Sequence, residues 1–192
     1  YGLDLPTGLV KNSKLPTPVI TPTTKAEVGE HDERLTSAEV LERGLVEPEL
    51  WAQVQQVALD IFAAGQAAAQ KAGLILVDTK YEFGMINGQL SLIDEVHTPD
   101  SSRYWIADTY EAAMSAGSAP NQFDKEHLRL WLKARGYNGD GPAPALTDEI
   151  RAEVAQRYID AFEKLTQTQF VPGALPPSER VNQNLRTHLG GN

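Results

Sequence analysis

The chain has 192 residues, enough for one substantial domain or two small ones, and its 41% hydrophobic content allows a packed core. With 17 basic and 26 acidic residues, the net charge of -9 argues against non-specific binding to nucleic acid or anionic membranes. The absence of cysteine removes disulfide and thiolate chemistry and fits a reducing, cytoplasmic setting, and no apolar run approaches the roughly 20 residues of a transmembrane helix.

Residues 1–35 read as loop, because Pro6, Pro16, Pro18 and Pro22 stand too close together for a helix. The opening YGLDLPTG has no initiator methionine and no basic-then-apolar signal pattern. The expectation is that further residues precede it. Within this region TPTTKAEVGEHD (21–32) is unusually polar for a surface wrapper. Thr36 then opens a short helix as the capping box T-S-A-E, with Glu39 reaching back to the cap amide, and Gly44 ends it. A second helix starts near Pro48. Its Leu50, Val54, Val57, Ile61, Ala64 and Ala68 follow helical spacing as far as Gly73, and the alanines predict close packing against another element.

Residues 74–83 and 89–96 read as the two arms of a β-hairpin around Asn87-Gly88, a pair that tolerates the positive φ of a type I′ turn. HTPDSSR (97–103) follows as a turn-rich loop and SAGSAPNQ (115–122) as a flexible connector. Asp124 caps a helix with Leu128, Trp131 and Leu132 on one face. RGYNGDGPAP (135–144) is a loop. Thr147 or Asp148 caps a long helix whose Ile150, Val154, Tyr158, Ala161, Phe162 and Leu165 form one apolar stripe. The tail from Val171 is expected to lie on the surface or fray. No internal repeat is present. The fold class is α+β, an antiparallel hairpin-based sheet packed by helices, with a lobe over residues 1–170 and a tail over 171–192.

The hairpin carries more charge than a core element needs. Residues two apart in a strand share a face, so Asp78, Lys80 and Glu82 point one way and Val77, Thr79, Tyr81 and Phe83 the other, into a core. Two registers are open. A two-residue Asn-Gly loop pairs Met85 with Leu90 and sets Glu82 opposite Ile93, leaving Asp94 on the wrong face. A three-residue loop with a bulge pairs Ile86 with Leu90 and sets Glu82 opposite Asp94. Adjacent carboxylates repel unless a cation or proton lies between them. In the second register Mg²⁺ is the natural resolution, since it takes one or two carboxylates and completes its shell with water and phosphates. Lys80 would then hold an anionic group of a substrate. The alternative is a solvated face with Lys80 paired to its neighbours, and on spacing alone it is the simpler reading.

The next loop adds weight to a site. In DSSR, Arg103 can hold a phosphate through two parallel hydrogen bonds, Ser101 and Ser102 can add donors, and Asp100 can accept from a sugar hydroxyl. Taken alone the same residues make an Asx/Ser turn with a surface arginine. Lys25, His31 and Asp32 sit on the polar loop, with no serine or cysteine nucleophile motif beside them. His97, His127 and His188 lack zinc-ligand spacing, and no phosphate-binding glycine loop of the common kinds occurs.

LILVDTKYEFG followed by LIDEVHTPDSSRYW resembles the signature of the SAICAR synthetase family, the phosphoribosylaminoimidazole-succinocarboxamide synthases. So do LPTPVITPTTKAEVGEHDERLT, FDKEHLRLWL and RYIDAFEKLT, in unbroken order over roughly residues 1–170. The resemblance implies a SAICAR synthase-like fold and an ATP-dependent ligase. Its substrates would be carboxyaminoimidazole ribonucleotide, L-aspartate and ATP, with Mg²⁺ as the metal. It implies Glu82 and Asp94 as metal-side carboxylates, and hence the three-residue register or an equivalent bulge. Lys80 would lie beside the reacting groups. Asp100, Ser102 and Arg103 would hold the ribose and 5′-phosphate, and Lys25, His31 and Asp32 would belong to a loop closing over the substrate. The family begins with a smaller, β-rich ATP lobe upstream of what matches Tyr1. The expectation is therefore that the sequence is the larger carboxy-terminal lobe without it, so that a phosphoribosyl-binding fragment with little or no synthetase activity is the alternative.

Overall fold

The helix boundaries follow the capping signals closely. The computed structural model of the protein describes residues 1–26, 31–123, 126–174 and 176–190. Helix α1 (Ser37–Glu42) starts at Thr36, whose hydroxyl accepts from the Glu39 amide at 3.1 Å while the Glu39 carboxylate accepts from the Thr36 amide at 2.7 Å. This is the reciprocal capping box. Helix α2 (Pro48–Lys71) has Pro48 in its first turn, where the missing N–H costs nothing, and stops before Gly73 at φ +70. Residues 1–35 are loop, as the prolines require, with one bridge between Thr23 and Arg34.

Strand β1 (Leu74–Thr79) does not pair with the strand that follows it. It pairs antiparallel with β4 (Ser102–Ile106), whereas β2 (Phe83–Ile86) and β3 (Gln89–Leu92) form a separate two-stranded hairpin. The expected long arms over 74–83 and 89–96 are therefore corrected. The first arm breaks at residues 80–82, and of its residues only Phe83 belongs to the hairpin, whose first strand runs on to Ile86. The loop 97–103 ends earlier than expected, because Ser102 and Arg103 already belong to β4. The end of the connector 115–122 is tied down as well. Ile106 donates to the Asn121 carbonyl at 3.0 Å and Phe123 to the Tyr104 carbonyl at 2.8 Å, which occupies the outer edge of β4.

The register shifts between Leu76 and Asp78, a bulge at Val77 that reverses which parity faces inward. Before it Leu74 and Leu76 are buried; after it Thr79 turns in and Asp78 turns out. Val77, expected to face inward, falls at the bulge and has no partner in the register.

Helices α2 and α5 (Asp148–Thr166) pack on this pair. Ala69 of α2 and Ala161 of α5 are fully buried beside Leu74, Leu76, Tyr104 and Phe123. The small side chains let helix and sheet backbones approach, as the alanine run implied. A second cluster of Leu35, Val40 and Trp51 seats α1 against α2 and anchors the end of the amino-terminal loop. Helix α3 (Ala107–Ser115) follows β4 directly, and α4 (Glu126–Lys133) lies against α5. The expected Asp124 cap lies outside the described residues. Thr147 caps α5 through the Ile150 amide. The tail lies on the surface, where residues Pro177–Leu189 form the exposed helix α6. Among the described residues no helix is long and apolar enough to cross a membrane.

Candidate functional site

The Asn87-Gly88 turn decides the register. Both residues have positive φ, 52° and 79°, and the pairs Ile86–Gln89, Met85–Leu90, Gly84–Ser91 and Phe83–Leu92 leave a two-residue loop. Ile93 donates to the Glu82 carbonyl at 3.0 Å, so Glu82 stands opposite Ile93 and not Asp94. The three-residue register that the resemblance implied is therefore corrected. Asp94 is exposed in the bend after β3.

Glu82 instead meets the amino-terminal loop. Its Oε2 pairs with Lys25 Nζ and its Oε1 lies 3.2 Å from Lys80 Nζ. Lys80 Nζ in turn lies 3.2 Å from Asp32 Oδ2, and Asp32 Oδ1 accepts from the Ala26 amide at 3.0 Å. Lys25, Asp32, Lys80 and Glu82 thus form one chain of alternating charge from residues up to 57 apart in sequence. The loop bearing the first two is closed at its base by Thr24 donating to the Glu33 carbonyl (2.9 Å) and Leu35 to the Pro22 carbonyl (3.0 Å). His31, also expected here, is exposed.

The electrostatics follow from the pairing. The lysine ammonium groups of Lys25 and Lys80 hold the Glu82 carboxyl below the usual carboxylate range. The Ala26 amide, then Lys80, does the same for Asp32. Lys80 is raised, chiefly by its hydrogen bond to Glu82. Asp32, Lys80 and Glu82 are therefore ionised near neutral pH.

The DSSR residues occupy the neighbouring edge. Lys80 donates its amide to the Ser101 carbonyl at 3.1 Å, which joins the two halves of the site through the backbone. Thr98 organises the turn, accepting from the Ser101 amide with its hydroxyl and from the Ser102 amide with its carbonyl. Ser102 is buried and donates to Thr79 Oγ1 at 2.8 Å, with the Ser101 hydroxyl 3.3 Å away. Arg103 lies on the outer face and donates Nε to Asp78 Oδ1 at 2.9 Å and Nη2 to Asp78 Oδ2. Asp100 is exposed in the turn.

Behind this face is a set of residues to which the sequence reading gave no site role. Tyr81, between Lys80 and Glu82, reaches His97, whose ring lies on Gly65 of α2. Strand alternation does turn Tyr81 inward, but nothing in the spacing connects His97 to Gly65. Among the described residues no group of three or more His, Cys, Asp or Glu could hold a metal ion.

A charged loop laid over the open end of a bulged antiparallel pair, backed by helices, is an arrangement with known counterparts. The fold superposes on the SAICAR-synthase from Saccharomyces cerevisiae complexed with SAICAR over 89% of this chain and 54% of that one, with 34% identity and a TM-score of 0.75. It also shares the fold of SAICAR synthetase from Pyrococcus horikoshii OT3, with a TM-score of 0.62 at 22% identity, over 85% of this chain and 58% of that one. Residues 2–144 match the family model described as SAICAR synthetase. The putative phosphoribosylaminoimidazole-succinocarboxamide synthase 2 of Mesorhizobium japonicum is 48% identical over 188 residues, 96% of this chain and 60% of its own length. The phosphoribosylaminoimidazole-succinocarboxamide synthase of Bacteroides fragilis is 44% identical over 191 residues, 98% of this chain and 61% of its own length. The chain belongs to the SAICAR synthetase family, and it spans about 60% of the length of the curated relatives it matches.

Proposed function

We propose that the protein carrying this chain is an ATP-dependent, cytoplasmic ligase of purine biosynthesis that joins carboxyaminoimidazole ribonucleotide and L-aspartate into SAICAR, releasing ADP and phosphate. The observation that carries this reading is the clustering of Lys25, Asp32, Lys80 and Glu82 beside the DSSR turn in a chain of this family. The terminal phosphoryl group of ATP passes to the carboxylate of the imidazole nucleotide, making an acyl phosphate. The aspartate amine attacks the acyl carbon, loses a proton, and phosphate leaves.

In this reading Lys80 and Lys25 face the anionic reacting groups, where positioned cations stabilise developing charge. Asp32 holds Lys80 in place, and His31 lies on the same loop. Arg103 binds the 5′-phosphate, with Asp100, Ser101 and Ser102 on the ribose-phosphate side. Glu82 and Asp94 are oxygen donors of the kind a hard cation takes, but they do not stand opposite each other and Glu82 is paired to Lys25 and Lys80, so Mg²⁺ would be held chiefly by water and the substrate phosphates. Bound Mg²⁺ would supply charge compensation at the phosphates.

The test is an assay of the protein at its full natural length with all three substrates. ADP and SAICAR formation that needs each substrate and Mg²⁺ is the expected result. Binding of the imidazole nucleotide without turnover would replace this reading with a phosphoribosyl-binding module.

A further inference from the structure

We propose that Tyr81 and His97 are positioning residues which, seated against Gly65 of α2, hold the segment 80–82 so that Lys80 and Glu82 face the ion-paired loop. The catalytic meaning of this device rests on the functional reading above; its geometry does not.

Residues 80–82 lie between two strands, outside both ladders, and yet carry the two central charges of the site. Two backbone bonds tether the segment, from the Lys80 amide to Ser101 and from the Ile93 amide to the Glu82 carbonyl. Neither sets its rotation. A flexible link in that place would let Lys80 and Glu82 swing away from Asp32 and Lys25.

Tyr81 supplies the missing restraint. Its side chain is part-buried, with its hydroxyl 2.5 Å from His97 Nε2 and its ring centroid 5.5 Å from the His97 ring. Phe83 meets the Tyr81 ring edge-on at 6.3 Å. His97 cannot yield. A Cβ built on Gly65 would stand 2.2 Å from His97 Cε1, so the imidazole rests on the bare backbone of α2. The His97 carbonyl accepts from the Tyr104 hydroxyl at 2.6 Å, and its φ of 56° is one that a non-glycine residue adopts only when its surroundings impose it. The site is thereby braced against a 24-residue helix.

The experiment is amine acylation of the protein at its full natural length, read residue by residue by peptide mass spectrometry. Lys71, exposed at the end of α2, serves as the internal control. The Gly65→Ala variant should push the imidazole off its seat, and Tyr81→Phe should remove the hydrogen bond while keeping the ring. Each should raise Lys80 acylation severalfold and leave Lys71 unchanged, because an amine released from Asp32 and Glu82 is more open to the reagent. Tyr81→Phe keeps the buried ring volume, so it remains informative if Gly65→Ala misfolds. It should also lower kcat about tenfold with the KM for ATP retained, since small misplacements of reacting groups are costly. Unchanged Lys80 acylation in a folded Tyr81→Phe protein overturns the proposal. Absence of turnover in the wild-type protein would overturn the functional reading instead, and leave acylation to decide this one.

Discussion

Asp78 grips the Arg103 guanidinium side-on across the β1–β4 pair, taking Nε and one terminal nitrogen with its two carboxylate oxygens. The side chains are 49% and 52% exposed, and an ion pair so open to water contributes about 0–1 kcal/mol. A 5′-phosphate bound at Arg103 as proposed would therefore compete with a weak internal partner. Asp78→Asn should lower stability by no more than about 1 kcal/mol in a denaturant titration. Arg103→Ala should weaken the imidazole nucleotide by about 2 kcal/mol in calorimetry. Equal affinity for that variant would remove Arg103 from the phosphate site.

The charge cluster has a defined pH window. The Glu82 and Asp32 values are depressed, so their pairing is fully present above the ordinary carboxylate values of about 4 and is lost as pH falls through the folded ones. Lys80 is raised, so its contribution is complete below about 10.4 and is lost as pH rises through the folded value. Between these limits the loop stays pinned. A ¹³C titration of the Glu82 carboxyl should show a midpoint below that of a free glutamate; one at or above it would mean the lysines do not hold it in solution.

Gly88 should resist replacement although nothing stands within 4 Å of where a Cβ would go. Its φ of 79° belongs to the I′ turn, and an L-side chain there strains the backbone. Gly88→Ala should cost about 1–2 kcal/mol in thermal unfolding. A neutral result would argue against the two-residue loop and so reopen the position of Asp94 opposite Glu82.

Thr36→Ala removes the hydroxyl that accepts from the Glu39 amide and caps α1, while the Thr36 amide still donates to the Glu39 carboxylate. The expected loss is about 1 kcal/mol. Leu35 and Val40 flank this cap and sit in one core cluster, so faster proteolysis of the loop 22–35 should accompany it.

Helix starts were readable because capping is local: Thr36, Pro48 and Thr147 each act within one turn of the residue that shows the signal. Strand partnership was not. Asn87-Gly88 specifies only the short hairpin it closes, and β1 finds its partner across more than twenty residues, which no local pattern announces. The continuous apolar run LILV did carry a hint, since a strand buried this deeply needs a core partner more than a solvated hairpin does. The bulge at Val77 inverted the strand's facing without any glycine to mark it. For the site, Lys25, Asp32, Lys80 and Glu82 were legible as charges out of place, and the structure brings these four together. Glu82 and Asp94 were paired by a register that the turn does not adopt. The residues of helix α6 were read as a tail that lies on the surface or frays, and they do lie on the surface; the helix itself was missed, although Pro177 in its first turn and the four-residue spacing of Val181, Leu185 and Leu189 are helix signals.

The 57 residues between Lys25 and Glu82 also order events in time on the ribosome. At a synthesis rate of about 5–20 residues per second, Lys25 emerges roughly 3–11 s before its counter-charge exists. The base of its loop spans only nine residues from Thr24 to Glu33, a closure that nascent chain can make at once. The amino-terminal half is thus shaped early, and the carboxylate that completes the cluster arrives last.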